Sequence, residues 1–159
     1  MIRTGKRVIL ATVLLLATLA FIWGNSMTPG TESHEMSGGI LQWISRLLNL
    51  SASSEEILHL LIRKAAHFCE FALLGLLLTW RVGMTGRSGA NLCCPALLGG
   101  LLAACMDETI QIFSEGRSSS LLDVWLDTCG VLAGMAVLLI GYHLIRNKKL
   151  KNKFWRNKS

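Results

Sequence analysis

Charge is what this chain has least of. Asp, Glu, Lys and Arg make up 16% of its 159 residues and hydrophobic residues 52%, whereas an average soluble domain carries about 25% charged residues. That shortage, with a mean hydropathy of +0.47, excludes a disordered chain. There is no collagen-like period and no disulfide-scaffold density. The five cysteines, Cys69, Cys93, Cys94, Cys105 and Cys129, form no C-x-x-C and fall in apolar stretches, where they read as small packing residues. No H-E-x-x-H, P-loop or G-x-S-x-G is present, so no zinc-protease, nucleotide-hydrolase or serine-hydrolase signature stands out. The net charge of +6 does not indicate nucleic acid, because seven of the 16 Lys and Arg lie in the last fourteen residues and three in the first seven.

What the chain has instead is long apolar segments. A membrane-crossing helix needs ~20 mostly apolar residues, and four segments qualify: about 8–26, 62–80, 90–113 and 121–145. The fold class expected is an all-α integral membrane protein, a single domain over 1–159 with four transmembrane helices. Placing both termini inside leaves twelve Lys and Arg inside against four outside, the bias that sets orientation. The expected location is therefore a cell membrane, crossed several times, with cytoplasmic termini. Trp23, Trp80, Trp125 and Tyr142 fall near the expected span ends, as interfacial aromatics do. A cleaved signal peptide would also begin basic and apolar, but no small-x-small site follows the first span.

Between the first two spans, Ile40, Trp43, Ile44, Leu47 and Leu48 share one helical face, which predicts a short amphipathic helix lying on the membrane surface. Ser53 and Glu56 have capping-box spacing and predict a helix start at Ser54. Ser120 and Asp123 have the same spacing before the fourth span. Gly99-Gly100 and Gly130-x-x-x-Gly134 offer small-residue surfaces for close helix contact. The basic tail, residues 146–159 with Phe154 and Trp155, is expected to meet anionic lipid headgroups.

Polar residues at membrane depth are costly, ~2.5–3.5 kcal/mol each on insertion scales, and here they share a level. Arg63, His67 and Glu70 are spaced i, i+4, i+7, Asp107 and Gln111 i, i+4 with Glu108 beside them, and Asp123 and Asp127 i, i+4. At 1.5 Å per residue, Asp107 stands ~26 Å above Ala90 and Asp127 ~27 Å above Ile145, near the outer edge of the core, while Glu70 stands only ~15 Å above Trp80. This predicts an outward-facing polar pocket between spans two, three and four, with Glu70 its deepest member. Blander roles compete with this. Arg63 and Lys64 can snorkel to headgroups, Asp123 can complete a cap with Ser120, and Glu108 and Asp127 can pair with Arg63 or Arg117. Partners open to Glu70 are Arg63, His67 and Arg117.

These residues also carry a resemblance. Ser26-Met27-Thr28-Pro29-Gly30 with Ser33 and Ser37, then Lys64 to Phe71 around His67 and Glu70, then Asp107-Glu108 with Gln111, Phe113, Gly116, Arg117, Asp123 and Gly130, resemble in order and spacing the motifs of VanZ-like membrane proteins. Asp127 departs from that pattern, standing where Asn is expected. The resemblance covers about residues 20–135 and implies a link to resistance against the glycopeptide teicoplanin, by analogy only.

Three functions follow as expectations. In the first, the pocket binds a lipid, a lipid-linked cell-wall precursor or a glycopeptide antibiotic, with Ser26, Arg63, Lys64, Gln111, Arg117, Asp123 and Asp127 as binding residues. In the second, the protein is an intramembrane hydrolase or transferase, with His67, Glu70, Asp107 and Glu108 as candidate catalytic groups. Asp107, Glu108, Asp123 and Asp127 could then hold a divalent cation through oxygen ligands. In the third, it is a small proton-coupled transporter using Glu70, which with four spans would require an oligomer.

Overall fold

The computed structural model describes residues 2–29, 52–117 and 119–156. Its elements are α1 (Ile2–Met27), α2 (Ala52–Gly83), α3 (Ala90–Ile112) and α4 (Leu121–Arg156), with no strand among the described residues. The predicted amphipathic helix over residues 40–48 lies outside them.

Among the described residues, three helices are long and apolar enough to cross a membrane: Gly5–Met27 of α1, Ala90–Ile112, which is α3, and Leu121–Lys148 of α4. The 32-residue α2 differs in composition. Glu55, Arg63, Lys64 and Glu70 dilute its first part, and its apolar run begins only at Phe71. Ile9, Leu16 and Phe21 on α1, Leu98 and Leu102 on α3, and Val137 and Ile140 on α4 are all exposed. In water so much contiguous apolar surface would drive aggregation; in lipid it meets a matching solvent. The chain is a membrane protein.

Side-chain pairs fix the packing. Asn25 meets Glu70 and Thr12 meets Arg81, so α1 and α2 run antiparallel. Ser26 meets Asp107 and Trp23 meets the Ala103 carbonyl, so α1 and α3 run parallel. Lys64 pairs with Asp123 at one end of α2, and Gly134 abuts Ala72 further along, so α2 and α4 also run parallel. The bundle alternates up and down, and α2 shares its most extensive contact with α4.

Small residues make that contact close. A Cβ at Gly130 would sit 2.6 Å from the Phe68 carbonyl oxygen, and one at Gly134 would collide with the Ala72 carbonyl. Gly75 lies as tightly against Val131, whose methyl groups also fill the space a Gly100 Cβ would need. Around this seam, Phe71, Leu74, Ala96, Ala104 and Val131 form a fully buried core. Without a hydrophobic force between helices in lipid, such van der Waals fit is what holds them.

Several expectations shift. Helix α2 starts at Ala52, so Ser53 lies inside its first turn and the start falls two residues before the expected Ser54. First-turn N–H groups have no intrahelical partner anyway, which makes the position tolerant. Trp23 is half-buried and donates its Nε1 to the Ala103 carbonyl at 3.4 Å, a contact inside the bundle, whereas Trp125 and Tyr142 are exposed. Cys69, Cys94, Cys105 and Cys129 are exposed on the helices and do not pack in the core.

Candidate functional site

At one end of the bundle the core turns polar. Asp107 is fully buried and its two oxygens are both occupied. Ser26 Oγ donates to Oδ1 at 2.6 Å, and Gln111 Nε2, one helical turn further along α3, donates to Oδ2 at 2.8 Å. His67 Nδ1 lies 3.8 Å from the same Oδ2. Two donors and an imidazole compensate a carboxylate that burial alone would make costly.

The end of α1 is tied into this layer. Its last carbonyls have no intrahelical donors, and the loop after α3 supplies them: Ser114 Oγ donates to the Ser26 carbonyl at 2.7 Å and Arg117 Nη2 to the Asn25 carbonyl at 2.8 Å. Gly116, at φ 71°, turns the chain just before Arg117, a backbone conformation that suits glycine. Burial, and the nearby charge of Arg63, lower the Arg117 guanidinium from its ordinary value. Its Nε and Nη1 have no hydrogen-bond partner among the described residues.

Glu70 faces α1. Its Oε1 accepts from Asn25 Nδ2 at 3.1 Å, so its hydrogen-bond partner is none of Arg63, His67 and Arg117. Glu108 accepts the Ser120 backbone N–H at 2.8 Å, which caps α4 from across the bundle. Ser120 Oγ accepts the Leu122 N–H at 3.2 Å, but Asp123 does not close a capping box; it pairs with Lys64. Asp127 pairs with neither arginine, and neither of its oxygens has a hydrogen-bond partner among the described residues.

Beside this layer a cavity of about 220 Å³ opens between α2, α3 and α4. Of the residues singled out in the sequence, Arg63, Lys64, His67, Glu108, Gln111, Asp123 and Asp127 line it. Ser26, Glu70, Asp107 and Arg117 do not; they form the hydrogen-bonded layer alongside. His59, Leu60 and Leu126 line the cavity too and were not anticipated. His59 had a legible signal, standing four residues before Arg63 and eight before His67 on the same helical face. Asn25 was missed as a site residue because its role depends on where α1 ends relative to α2.

An all-α bundle with lipid-suited faces and a polar cavity at one end, lined by α2, α3 and α4, defines a membrane protein. Residues 11–144 match the VanZ/LLP1 family, and the chain belongs to it. No curated protein and no solved structure matches the chain significantly.

Proposed function

We propose that this protein is a multi-pass component of the bacterial envelope whose cavity binds the polar head of a membrane amphiphile, a lipid or lipid-linked cell-wall precursor. All four helices cross the bilayer in this reading, with both termini cytoplasmic. Support for the fourth crossing comes from register. Residues 67–78 of α2 lie antiparallel beside residues 107–99 of α3, so α2 occupies the depth that α3 occupies.

The observation that carries the reading is the mixed cavity. Arg63 and Lys64 stand on one wall and Leu60 and Leu126 extend it with apolar surface. Lys64 is paired with Asp123, whereas Arg63 makes no side-chain hydrogen bond or ion pair among the described residues. A guanidinium so placed suits a phosphate. Size favours a headgroup over an entire antibiotic, since 220 Å³ falls below the ~300–1,000 Å³ of pockets for drug-sized ligands. A contribution to glycopeptide resistance, suggested by the family, would then run through the lipid.

The test uses the full chain in detergent, with native mass spectrometry against a polyprenyl phosphate and the matching uncharged polyprenol. Preference for the phosphate, lowered about tenfold by Arg63→Ala, supports the reading. Equal binding of both lipids, or an unchanged affinity in Arg63→Ala, refutes it.

A further inference from the structure

Three side chains from three helices converge at the inner edge of the cavity. His67 of α2, Asp107 of α3 and Asp127 of α4 each offer a ligand atom, and these atoms all lie within 4.8 Å of one another. Asp127 is 1% exposed, lines the cavity, and neither of its oxygens has a hydrogen-bond partner among the described residues. A buried carboxylate without a partner is costly, and a second carboxylate beside it raises that cost. Buried polar atoms left without partners call for an explanation such as an ion.

The surroundings are those of a ligating set. Ser26 and Gln111 hold Asp107 by both oxygens, as outer-shell partners orient metal-binding carboxylates. The other acids of this layer are drawn elsewhere: Glu108 accepts the Ser120 N–H, Asp123 pairs with Lys64, and Glu70 faces α1, where its Oε1 accepts from Asn25. The two acids that group with His67 are Asp107, held in place by its donors, and Asp127, which has none among the described residues.

We propose that His67, Asp107 and Asp127 form a three-ligand site for a divalent transition-metal ion of the Mn²⁺ or Zn²⁺ kind. The imidazole selects against Ca²⁺, which takes six to eight oxygen ligands, and against Mg²⁺, which is held by carboxylates, phosphates and water. The ion neutralises both carboxylates and supplies the partner that Asp127 lacks. Three protein ligands leave coordination positions open, and His67 and Asp127 line the cavity together with Arg63 and Lys64. An anionic oxygen of the bound headgroup fits there. That last step rests on the headgroup reading above; the ion site does not.

The test is metal binding to the full chain in detergent, stripped with EDTA. Mn²⁺ alone is the probe, followed by electron paramagnetic resonance and calorimetry, because five free cysteines would also take Zn²⁺. The expected result is one ion per chain. Asp127→Asn and His67→Gln each weaken binding at least tenfold, Ser26→Ala weakens it about tenfold through Asp107, and Glu108→Gln and Asp123→Asn change it less than threefold. Circular dichroism and elution volume confirm that the variants are folded. Absence of stoichiometric Mn²⁺ on the wild-type chain overturns the proposal, as does loss of binding in Glu108→Gln or Asp123→Asn with retention in Asp127→Asn. Polyprenyl phosphate binding measured in EDTA reads the pocket alone. Failure of the ion with lipid binding retained therefore sinks this site and leaves the headgroup reading standing.

Discussion

Two adjacent layers of this bundle join the same helices by opposite means. In the glycine layer, Gly75, Gly130 and Gly134 let α2 and α4 approach to backbone contact, and Gly100 makes room for the Val131 methyl groups. In the polar layer, Ser26, Glu70, Asp107, Glu108 and Arg117 are joined helix to helix and helix to loop by specific donors and acceptors. Shape complementarity tolerates no added atom but asks little of chemistry. The polar layer asks for the right donor on each acceptor, and leaves atoms over, on Asp127, Arg117 and one oxygen of Glu70. Fit builds the fold; the polar atoms without partners among the described residues are where the proposed ligands would act.

The comparison is broken most severely by adding volume to the glycine layer. A side chain at Gly134 meets the Ala72 backbone carbonyl, which cannot move without moving α2. Gly134→Val should cost about 3 kcal/mol, read as a large drop in the detergent melting temperature or failure to purify as a monodisperse protein. A variant that melts like the wild type would show that the α2–α4 seam is looser than described.

The polar layer should fail more gently and in a coupled way. Asp107→Ala strands the Ser26 hydroxyl and the Gln111 amide, both buried, and should cost about 2 kcal/mol. Adding Ser26→Ala to Asp107→Ala should then cost almost nothing more, because the hydroxyl's acceptor is already gone. A double-mutant cycle on melting temperature checks this, and additive losses would mean that the two residues are not joined.

The two layers were not equally legible in the sequence. Helices α1, α3 and α4 follow from apolar runs, and the start of α3 at Ala90 and of α4 at Leu121 agree with the expected bounds. The small-residue spacing of Gly130 and Gly134 pointed to close contact. The grouping of polar residues at one level also followed, from counting rise along each helix. What did not follow was which atom meets which. Glu70 meets Asn25 because of where α1 ends against α2, a register no local pattern encodes. Glu108 meets a backbone N–H, which any residue at position 120 other than proline would present. That Asp127 has no hydrogen-bond partner among the described residues is a difference between partners needed and partners in reach, and only the assembled helices reveal it.

A smaller effect separates capping from packing within the polar layer. Glu108→Ala removes the acceptor from the Ser120 N–H and should cost about 1 kcal/mol, as loss of a helix cap does. Glu108→Gln keeps an acceptor at that place and should recover most of it. The pair of variants, compared by thermal unfolding, shows whether Glu108 acts by its hydrogen bond or by its charge.

The smallest effect is expected at the Lys64–Asp123 pair, at the mouth of the cavity. The side chains are 40% and 26% exposed, so water and salt reach both, unlike Asp107 one layer in. An ion pair so placed contributes about 0.5 kcal/mol. Lys64→Met retains much of the stem that packs on the wall and should change the melting temperature by no more than a degree or two, an effect that shrinks further at high salt. The same variant frees Asp123, leaving the cavity mouth more negative, so it should weaken binding of an anionic headgroup far more than it weakens the fold. If stability and headgroup binding fall together in proportion, Lys64 belongs to the structural polar layer. If binding alone falls, Lys64 belongs with Arg63 on the ligand's side.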